Sequence, residues 1–144
     1  MDRDAVRALF DLSGRVAVVT GGTRGIGRAV AEGFAAAGAS VVVVSRKEDA
    51  CKQTEADLRA MGYSAIGIAA HMGDMGAHGM VVERTVDEFG RLDILMNNAA
   101  NALTQPLGHI TPEAWDKSYA VNLRGPVFLV QAAHPISPPA RAHR

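Results

Sequence analysis

Short apolar runs alternate along the chain with segments whose apolar positions recur at helical spacing. Arg15–Thr20 (RVAVVT) and Ser40–Ser45 (SVVVVS) are β-branched and almost continuously apolar, as is typical of parallel strands covered by helices on both faces. The apolar residues between them predict a helix that packs on the sheet: Ile26, Val30, Phe34 and Ala37. Gly38 follows where a left-handed residue would end that helix. The segment is predicted to be a βαβ unit.

The same alternation continues beyond this unit. It predicts a helix, a strand, a helix and a strand, in that order, over Glu48–Met61, Ser64–Ala70, Met80–Phe89 and Leu92–Met96. Thr111 can cap a further helix, with Pro112 at its first position, that runs towards Ala133. Strands that alternate with helices in this way predict a doubly wound parallel α/β sheet, Rossmann-like and truncated after the fourth strand and the helix that follows it.

The length of 144 residues predicts one domain. We divide the chain into an N-terminal extension at 1–13, a partial Rossmann-like domain at 14–133 and an irregular tail at 134–144. The tail, HPISPPARAHR, holds three of the six prolines and follows neither the helical nor the strand period.

Composition narrows the class of protein. Fifteen basic and fifteen acidic side chains cancel, which argues against a nucleic-acid partner. Cys51 is the only cysteine, so an intramolecular disulfide is excluded and a reducing compartment is favoured. The charged N-terminus lacks the apolar core of a signal peptide, and the apolar runs are too short to span a bilayer. We therefore expect a soluble, cytoplasmic protein.

A glycine-rich turn joins the first strand to the first helix of the βαβ unit. Gly21, Gly25 and Gly27 let the backbone turn sharply and let a phosphate approach the helix N-terminus, where free N–H groups and the helix dipole favour negative charge. The spacing is G-x-x-x-G-x-G. A Walker phosphate loop is excluded because Arg28 and Ala29 stand where Lys and Ser or Thr would be needed.

Four segments together resemble the short-chain dehydrogenase/reductase family: TGGTRGIG (Thr20–Gly27), the preceding DLSGRVAVVTGG, LDILMNNAA (Leu92–Ala100) and VNLRGPVFL (Val121–Leu129). The resemblance covers about Leu12 to Ala133. It implies an NAD(P)-dependent oxidoreductase that interconverts a small alcohol and a carbonyl by hydride transfer. It assigns six residues of the turn to the cofactor: Gly21, Thr23, Arg24, Gly25, Ile26 and Gly27.

The charges after the second strand bear on the choice of cofactor. An NAD-selective site usually places an acid there, about twenty residues after the glycines, on the ribose 2′-hydroxyl. Here Ser45 is followed by Arg46 and Lys47, and Arg24 projects from the turn, so a 2′-phosphate would meet cations and no carboxylate. NADP(H) is therefore favoured over NAD. The alternative is that these cations are solvated loop residues neutralised by two neighbouring acids, Glu48 and Asp49.

Two further positions are interpreted through the resemblance. Asn98 and Ala99 would lie beside the adenosine ribose, opposite the glycine turn. The alternative for both asparagines is a turn-making side chain bonded to local backbone, which we prefer for Asn97. His71 stands where the family often has an acid that reaches the adenine amine, with Asp74 too far along to replace it. We interpret His71 as structural and expect no metal site.

Asn122 is the candidate catalytic residue. Pro126, four residues later in the same predicted helix, has no N–H, which leaves the Asn122 carbonyl free at a kink. In the family that this segment resembles, the carbonyl of the asparagine that matches Asn122 holds a water molecule of the proton relay. The alternative is that Gly125 and Pro126 end or bend a core helix that Asn122 caps.

The remaining catalytic groups of the family are missing from the sequence. Its general acid is a tyrosine four residues before a lysine, but Tyr63 is followed by Gly67 and Tyr119 by Leu123. The serine that the family places on the preceding strand is not found in the sequence either. Trp115 and Tyr119 are interpreted as core or partner-facing aromatics. Three functions stay open: the cofactor-binding part of an NADP(H)-dependent oxidoreductase, inactive as this truncated chain; a non-catalytic dinucleotide-binding remnant or partner of an intact relative; and an inert fragment. A homo-oligomer is compatible with each of the first two.

Overall fold

A computed structural model describes residues 2–136, the side chain of Arg3 excepted. The elements are α1 Arg3–Leu9, β1 Val16–Thr20, α2 Gly25–Ala36, β2 Ser40–Ser45, α3 Glu48–Ala60, β3 Ala65–Ala69, α4 Ala77–Phe89, β4 Ile94–Met96, α5 Pro112–Tyr119, a π-helical segment Ala120–Arg124, and α6 Gly125–Ala133. Of the predicted tail, only His134–Ile136 is described, as a turn after α6, and 137–144 lie outside the described residues. The predicted alternation of strands and helices is confirmed.

The four strands form one parallel sheet in the order β3-β2-β1-β4. Val18 of β1 pairs with Val42 of β2 on one side and with Leu95 of β4 on the other. This order matches the first four strands of the common Rossmann order 3-2-1-4-5-6. The connection reverses direction between β1 and β4, so a crevice opens there at the carboxyl ends of the strands.

The sheet is covered on both faces, because successive side chains of each strand point in opposite directions. Val18 and Val42 face a core layer that includes Val81 of α4 and Leu129 of α6. The alternate strand residues face a second layer that contains Ala31 of α2 and Leu58 of α3. These strand residues include Ala17, Val19, Val41 and Val43. Burial on both faces explains why the strand sequences are almost continuously apolar.

The face that α2 presents to the sheet differs in part from the one that the apolar spacing predicted. Ile26 is 75% exposed, whereas Val30 and Phe34 are half-buried and pack against the core layer. The closest contacts are made by small residues: Gly27, Ala31 and Ala35 are buried, and a Cβ on Gly27 would collide with the Gly21 carbonyl of the glycine turn. Gly38 has the predicted left-handed conformation, with φ of 99°.

The chain from Pro112 to Ala133 is helical throughout, as predicted, but contains the unpredicted π-helical segment. Thr111 caps it, its Oγ1 accepting a hydrogen bond from the Ala114 N–H at 3.3 Å. Several large apolar side chains of this helix are exposed: Trp115, Tyr119, Leu123, Val127, Phe128 and Val130. Trp115 and Tyr119 are therefore not core residues, and their role as partner-facing aromatics stays a prediction.

The N-terminal extension contains a helix, α1, that the sequence pattern did not predict. Asp2 caps it, with Oδ1 accepting a hydrogen bond from the Ala5 N–H at 2.8 Å. Its described side chains are exposed, so it adds little to the core. Neither α1 nor any other helix within residues 2–136 combines the length and apolarity needed to cross a bilayer.

Candidate functional site

The glycine turn forms the floor of a cleft at the carboxyl ends of the strands. Gly21 and Gly25 have φ of 67° and 54°, a left-handed conformation that favours glycine. A Cβ on Gly21 would lie 2.8 Å from Asn98 Nδ2, and one on Gly27 would strike the same atom and the Gly21 carbonyl. Gly21 and Gly27 therefore tolerate no side chain, because the loop after β4 and the turn's own backbone occupy that space.

The first turn of α2 faces the cleft without a side-chain cap. Arg24 precedes the helix in an extended conformation, with φ of −157°, and makes no capping hydrogen bond. The first N–H groups of a helix have no partner within it, so here they are left to solvent or to a ligand. Together with the positive end of the helix dipole, they form an anion-binding surface.

Three cations border this surface. Arg24 lies in the glycine turn, and Arg46 and Lys47 follow β2; all three are exposed, line the same cleft and form no ion pair among the described residues. Ser45, half-buried, ends β2 beside them. The cleft thus offers unpaired positive charge where the second strand ends.

The two acids that could neutralise these cations do not do so. Glu48 Oε1 lies 2.6 Å from Lys52 Nζ, one helical turn further along α3. The hydrogen bond and charge of Lys52 lower the pKa of the Glu48 carboxyl, and the same contact raises the pKa of Lys52. Asp49 forms no ion pair within residues 2–136. Neutralisation by these acids is therefore not observed.

The loop after β4 forms the opposite wall and is tied to the end of β1. The N–H groups of Asn98 and Ala99 both donate to Thr20 Oγ1 at 3.0 Å, and that hydroxyl donates to the Met96 carbonyl at 3.3 Å. Asn98 Nδ2 donates to the carbonyls of Thr20 and Gly21 at 3.0 and 3.3 Å. Asn98 thus holds the glycine turn in place, a role that the sequence did not predict.

Asn97 differs from its neighbour. It is exposed, does not line the cleft, and makes no side-chain hydrogen bond within the described part of the chain. The local backbone hydrogen bond that we expected of this side chain is therefore not found.

The end of β3 contributes Ala70, His71 and Met72 to the cleft. His71 is exposed, and its Nδ1 accepts a hydrogen bond from the Gly73 N–H at 3.0 Å. Asp74 makes a similar local turn, its Oδ1 accepting from the Gly76 N–H at 3.0 Å, and does not line the cleft.

Asn122 lies in the π-helical segment and bonds to the loop after β4. Its Oδ1 accepts from the Asn101 N–H at 2.8 Å, and its Nδ2 donates to the Asn101 carbonyl at 2.9 Å. Ser118 Oγ donates to the same carbonyl at 2.9 Å. The amide of Asn122 therefore fixes Asn101, which lines the cleft, and does not cap the helix. Single-turn π segments often occur at functional sites.

The cleft as a whole has a volume of about 1110 Å³. It brings together every residue that the sequence assigned to the cofactor: Gly21, Thr23, Arg24, Gly25, Ile26, Gly27, Ser45, Arg46, Lys47, Asn98 and Ala99. The sequence analysis missed the other lining residues apart from His71: Val44, Ala50, Ala70, Met72, Ala100, Asn101, Lys117 and Val121. Helical spacing could have indicated Lys117 and Val121, because they lie four residues apart on one face of the helix, next to Asn122.

The lining includes no carboxylate side chain among the described residues. Within the same residues, no three His, Cys, Asp or Glu side chains are grouped so that they could hold a metal ion.

The parallel sheet, its order and the glycine turn below the crevice define an α/β protein of the Rossmann type. Residues 15–139 match the sequence profile described as short chain dehydrogenase. The chain belongs to the short-chain dehydrogenase family.

Known proteins agree with this assignment. The chain is 38% identical over 125 residues to the Arabidopsis thaliana short-chain dehydrogenase/reductase SDRA, covering 86% of this chain and 49% of that protein. It is similar to the crystal structure of a metagenomic short-chain oxidoreductase in complex with NADP, with 37% identity, a TM-score of 0.80, and coverage of 86% and 57%.

A Burkholderia cenocepacia short chain dehydrogenase crystallised with NADP gives 38% identity, a TM-score of 0.83, and coverage of 88% and 52%. The chain spans about half the length of the curated relatives that it matches.

Proposed function

We propose that this chain is the cofactor-binding part of an NADP(H)-dependent short-chain oxidoreductase acting on an alcohol or carbonyl group. One observation carries the proposal: the glycine turn, the uncapped start of α2 and three unpaired cations line a single cleft with no carboxylate among its described residues. That combination suits a dinucleotide with an extra phosphate. Two of the solved structures that this chain resembles are complexes with NADP.

Each part of the proposed cofactor has residues that fit it. The pyrophosphate would lie over the first turn of α2, whose backbone N–H groups have no side-chain cap. The 2′-phosphate would lie near Arg24, Arg46 and Lys47, with the Ser45 hydroxyl as a further donor. When bound, the nicotinamide would give or accept a hydride.

Asn122 would act in the proton relay through its main-chain carbonyl. Pro126 lacks the N–H that would otherwise bond to that carbonyl in an α-helix. The side chain of Asn122 holds Asn101 and thereby positions the wall of the cleft. Because the sequence offers no tyrosine four residues before a lysine, we propose that the 144-residue chain binds the cofactor without turnover.

The alternative function is a non-catalytic dinucleotide-binding protein that pairs with an intact relative or with a second copy. The exposed apolar side chains of the last helix, from Trp115 to Val130, favour this candidate. The buried, unpaired Cys51 supports a reducing compartment such as the cytoplasm for either function.

Titration of the purified chain with NADPH and NADH, followed by cofactor fluorescence, tests the proposal. We expect NADPH to bind more tightly, and no turnover with a panel of aldehydes and ketones. Turnover would contradict the proposed inactivity, and absence of binding by a folded chain would contradict cofactor binding altogether.

The variant Arg46→Ala tests the charge argument. It should weaken NADPH binding roughly 10- to 100-fold, the equivalent of about 1.5–3 kcal/mol for a charge-assisted hydrogen bond, and change NADH binding little. Arg7→Ala is the matched control, because Arg7 is an exposed arginine of α1 outside the cleft. Equal losses for the two cofactors would show that Arg46 does not recognise the 2′-phosphate.

A further inference from the structure

His78 is a buried histidine in the first turn of α4. Its exposed fraction is 2%, and it is not among the residues that line the cleft. Nε2 lies 3.0 Å from the Met72 carbonyl oxygen, and because a carbonyl can only accept, Nε2 donates the hydrogen of this bond. Nδ1 is buried and has no hydrogen-bond partner within residues 2–136. The imidazole therefore makes one buried hydrogen bond and leaves its other nitrogen unpaired.

The unpaired nitrogen shows that packing alone does not account for a histidine at this position. A buried acceptor without a donor destabilises the folded state, and most buried polar groups are paired. The buried neighbours of His78 in α4 are apolar, and they belong to the core layer that also contains Leu129 of α6: Ala77, Val81 and Val82. An apolar side chain would extend this layer, but it could not donate to the Met72 carbonyl.

The Met72 carbonyl lies where the loop after β3 packs against the last helix. A Cβ added to Gly125 would strike this oxygen, so only glycine allows so close an approach. The hydrogen bond from His78 is the only one that the Met72 carbonyl accepts within the described residues. At the next residue of the loop, a Cβ on Gly73 would lie 3.4 Å from Val121 Cγ2. The imidazole thus holds a loop that contacts the helix at two positions.

These two positions lie on either side of Asn122. Val121 is the second residue of the π-helical segment, and Gly125 closes the segment by donating its N–H to the Ala120 carbonyl, five residues earlier. A shift of the Met72 carbonyl would therefore move the support of the segment that presents the Asn122 carbonyl.

We propose that His78 is a positioning residue of the cleft. Through the Met72 carbonyl it keeps the loop after β3 against Gly125, and this contact fixes the π-helical segment around Asn122. Met72 and Val121 both line the cleft, so the same hydrogen bond keeps this wall of the cleft in place. The consequence for the cofactor rests on the proposed function, whereas the consequence for the helix does not.

Three variants separate the donor from the bulk of the side chain. His78→Gln keeps an N–H donor near the position of Nε2, whereas His78→Leu fills the space without a donor. Thr85→Val is the matched control, because Thr85 is buried on the same helix and its Oγ1 donates to the Val81 carbonyl at 2.7 Å. The control loses a buried hydrogen bond that stays within α4. Circular dichroism checks that each variant is folded.

Hydrogen exchange at the Gly125 N–H measures the effect in the chain without cofactor. We expect His78→Leu to accelerate this exchange about fivefold, the equivalent of one net hydrogen bond. The rates in His78→Gln and Thr85→Val should stay within about twofold of the wild-type rate. The inference is overturned if a folded His78→Leu chain exchanges at the wild-type rate, if glutamine does not rescue the rate, or if Thr85→Val accelerates exchange equally.

Cofactor binding gives a second readout. His78→Leu should raise the dissociation constants of NADPH and NADH by the same factor, about fivefold, because the apolar side chains of Met72 and Val121 cannot distinguish the two cofactors. Arg46→Ala, in contrast, should act mainly on NADPH. Unchanged dissociation constants for both cofactors would overturn the role of His78 in the cleft. If the wild-type chain binds neither cofactor, the proposed function fails, and exchange at Gly125 still decides whether His78 supports the helix.

A third measurement does not need a stable leucine variant. Long-range ¹H–¹⁵N NMR spectra report which nitrogen of a neutral imidazole carries hydrogen, and comparison with His78→Gln identifies the His78 signals. Hydrogen on Nε2 is expected. Hydrogen on Nδ1 would contradict the bond to the Met72 carbonyl and overturn the inference.

Discussion

The two edge strands of the sheet, β3 and β4, differ in whether side chains bond to their outward-facing backbone groups. On β3, the Gly67 N–H donates to Glu55 Oε2 at 2.8 Å, and the Ala65 carbonyl accepts from Arg59 Nε at 2.8 Å. Glu55 and Arg59 are themselves paired at 3.0 Å. Their side chains therefore bond to one outward N–H group, that of Gly67, and one outward carbonyl, that of Ala65. In a parallel sheet, a single residue of a neighbouring strand would bond to these same two groups. This arrangement blocks the addition of another strand to β3.

Within residues 2–136, no side chain covers the β4 edge in this way. The strand has three half-buried residues and pairs only with β1 among the described residues. It is held at both ends instead. Asp93 exchanges hydrogen bonds with Val16 at its start, both at 2.9 Å, and Asn98 bonds to Thr20 at its end. The outer side of β4 is thus open to a further strand, which is where the fifth strand lies in the common Rossmann order. The comparison shows that β3 closes the sheet and β4 does not.

The largest expected effect comes from removing the anchor of β4. Asp93→Ala takes away the acceptor of the Val16 N–H and the partner of Arg91, whose Nη2 and Nε lie 2.5 and 2.8 Å from the carboxylate. The free energy of unfolding should fall by about 2 kcal/mol, measured by urea denaturation. Asp87→Ala, at an exposed acid of α4 whose side chain makes no hydrogen bond within residues 2–136, is the control and should change little. If both variants lower the free energy of unfolding equally, Asp93 does not anchor β4.

The same carboxylate predicts a pH dependence of stability. Burial raises the pKa of Asp93, but hydrogen bonds from Arg91 and the Val16 N–H, with the charges of Arg91 and Arg15, outweigh it and hold the pKa below its ordinary value. Its contribution is therefore complete above the unfolded-state pKa, near 4, and is lost as the pH falls through the lower folded-state value. The difference in unfolding free energy between wild type and Asp93→Asn should shrink below about pH 4. A difference that is constant from neutral to acidic pH would contradict this assignment.

Removing the cover of β3 should have a smaller and more local effect. In Glu55→Ala the Gly67 N–H loses its acceptor, and its hydrogen exchange should accelerate about fivefold, which corresponds to a net hydrogen bond of about 1 kcal/mol. Glu48→Ala lies on the same helix and removes a surface ion pair with Lys52, so it serves as the control. If exchange at Gly67 is the same in both variants, the cover does not protect the edge.

The smallest effect is expected on the exposed apolar face of the last helix. Leu123 is 52% exposed, so Leu123→Ala should change the free energy of unfolding by less than about 0.5 kcal/mol in dilute solution. Leu129→Ala on the same helix, where the side chain is fully buried, should cost about 2–5 kcal/mol. If the loss of unfolding free energy in Leu123→Ala grows with protein concentration, a second copy covers this face. Association would then not depend on the edges of the sheet alone.

Local patterns in the sequence were sufficient for the order of strands and helices from β1 to α6, but not for α1 or the π-helical segment. Strand and helix periods involve neighbours within one or two turns, and so do the glycine turn, the Thr111 cap and the left-handed Gly38. The residues for the cleft could be found in the same way, because the carboxyl ends of parallel strands must meet at one edge of the sheet. The Ile26 error had a physical cause: spacing finds apolar residues, but close packing against the sheet selected glycine and alanine.

What the tertiary structure alone decided is which distant groups bond to each other. Asp93 with Val16, Asn98 with the glycine turn, and Asn122 with Asn101 join residues that no local period relates. The π-helical segment likewise arises where Gly125 packs so closely on the loop after β3 that a Cβ would strike the Met72 carbonyl. Hydrogen bonds between remote segments depend on the folded positions of both partners, whereas helices and strands depend mainly on nearby residues. The sequence therefore determined the alternating strands and helices of the sheet and the cofactor-side residues of the cleft, and the packed chain determined how the walls of the cleft are held.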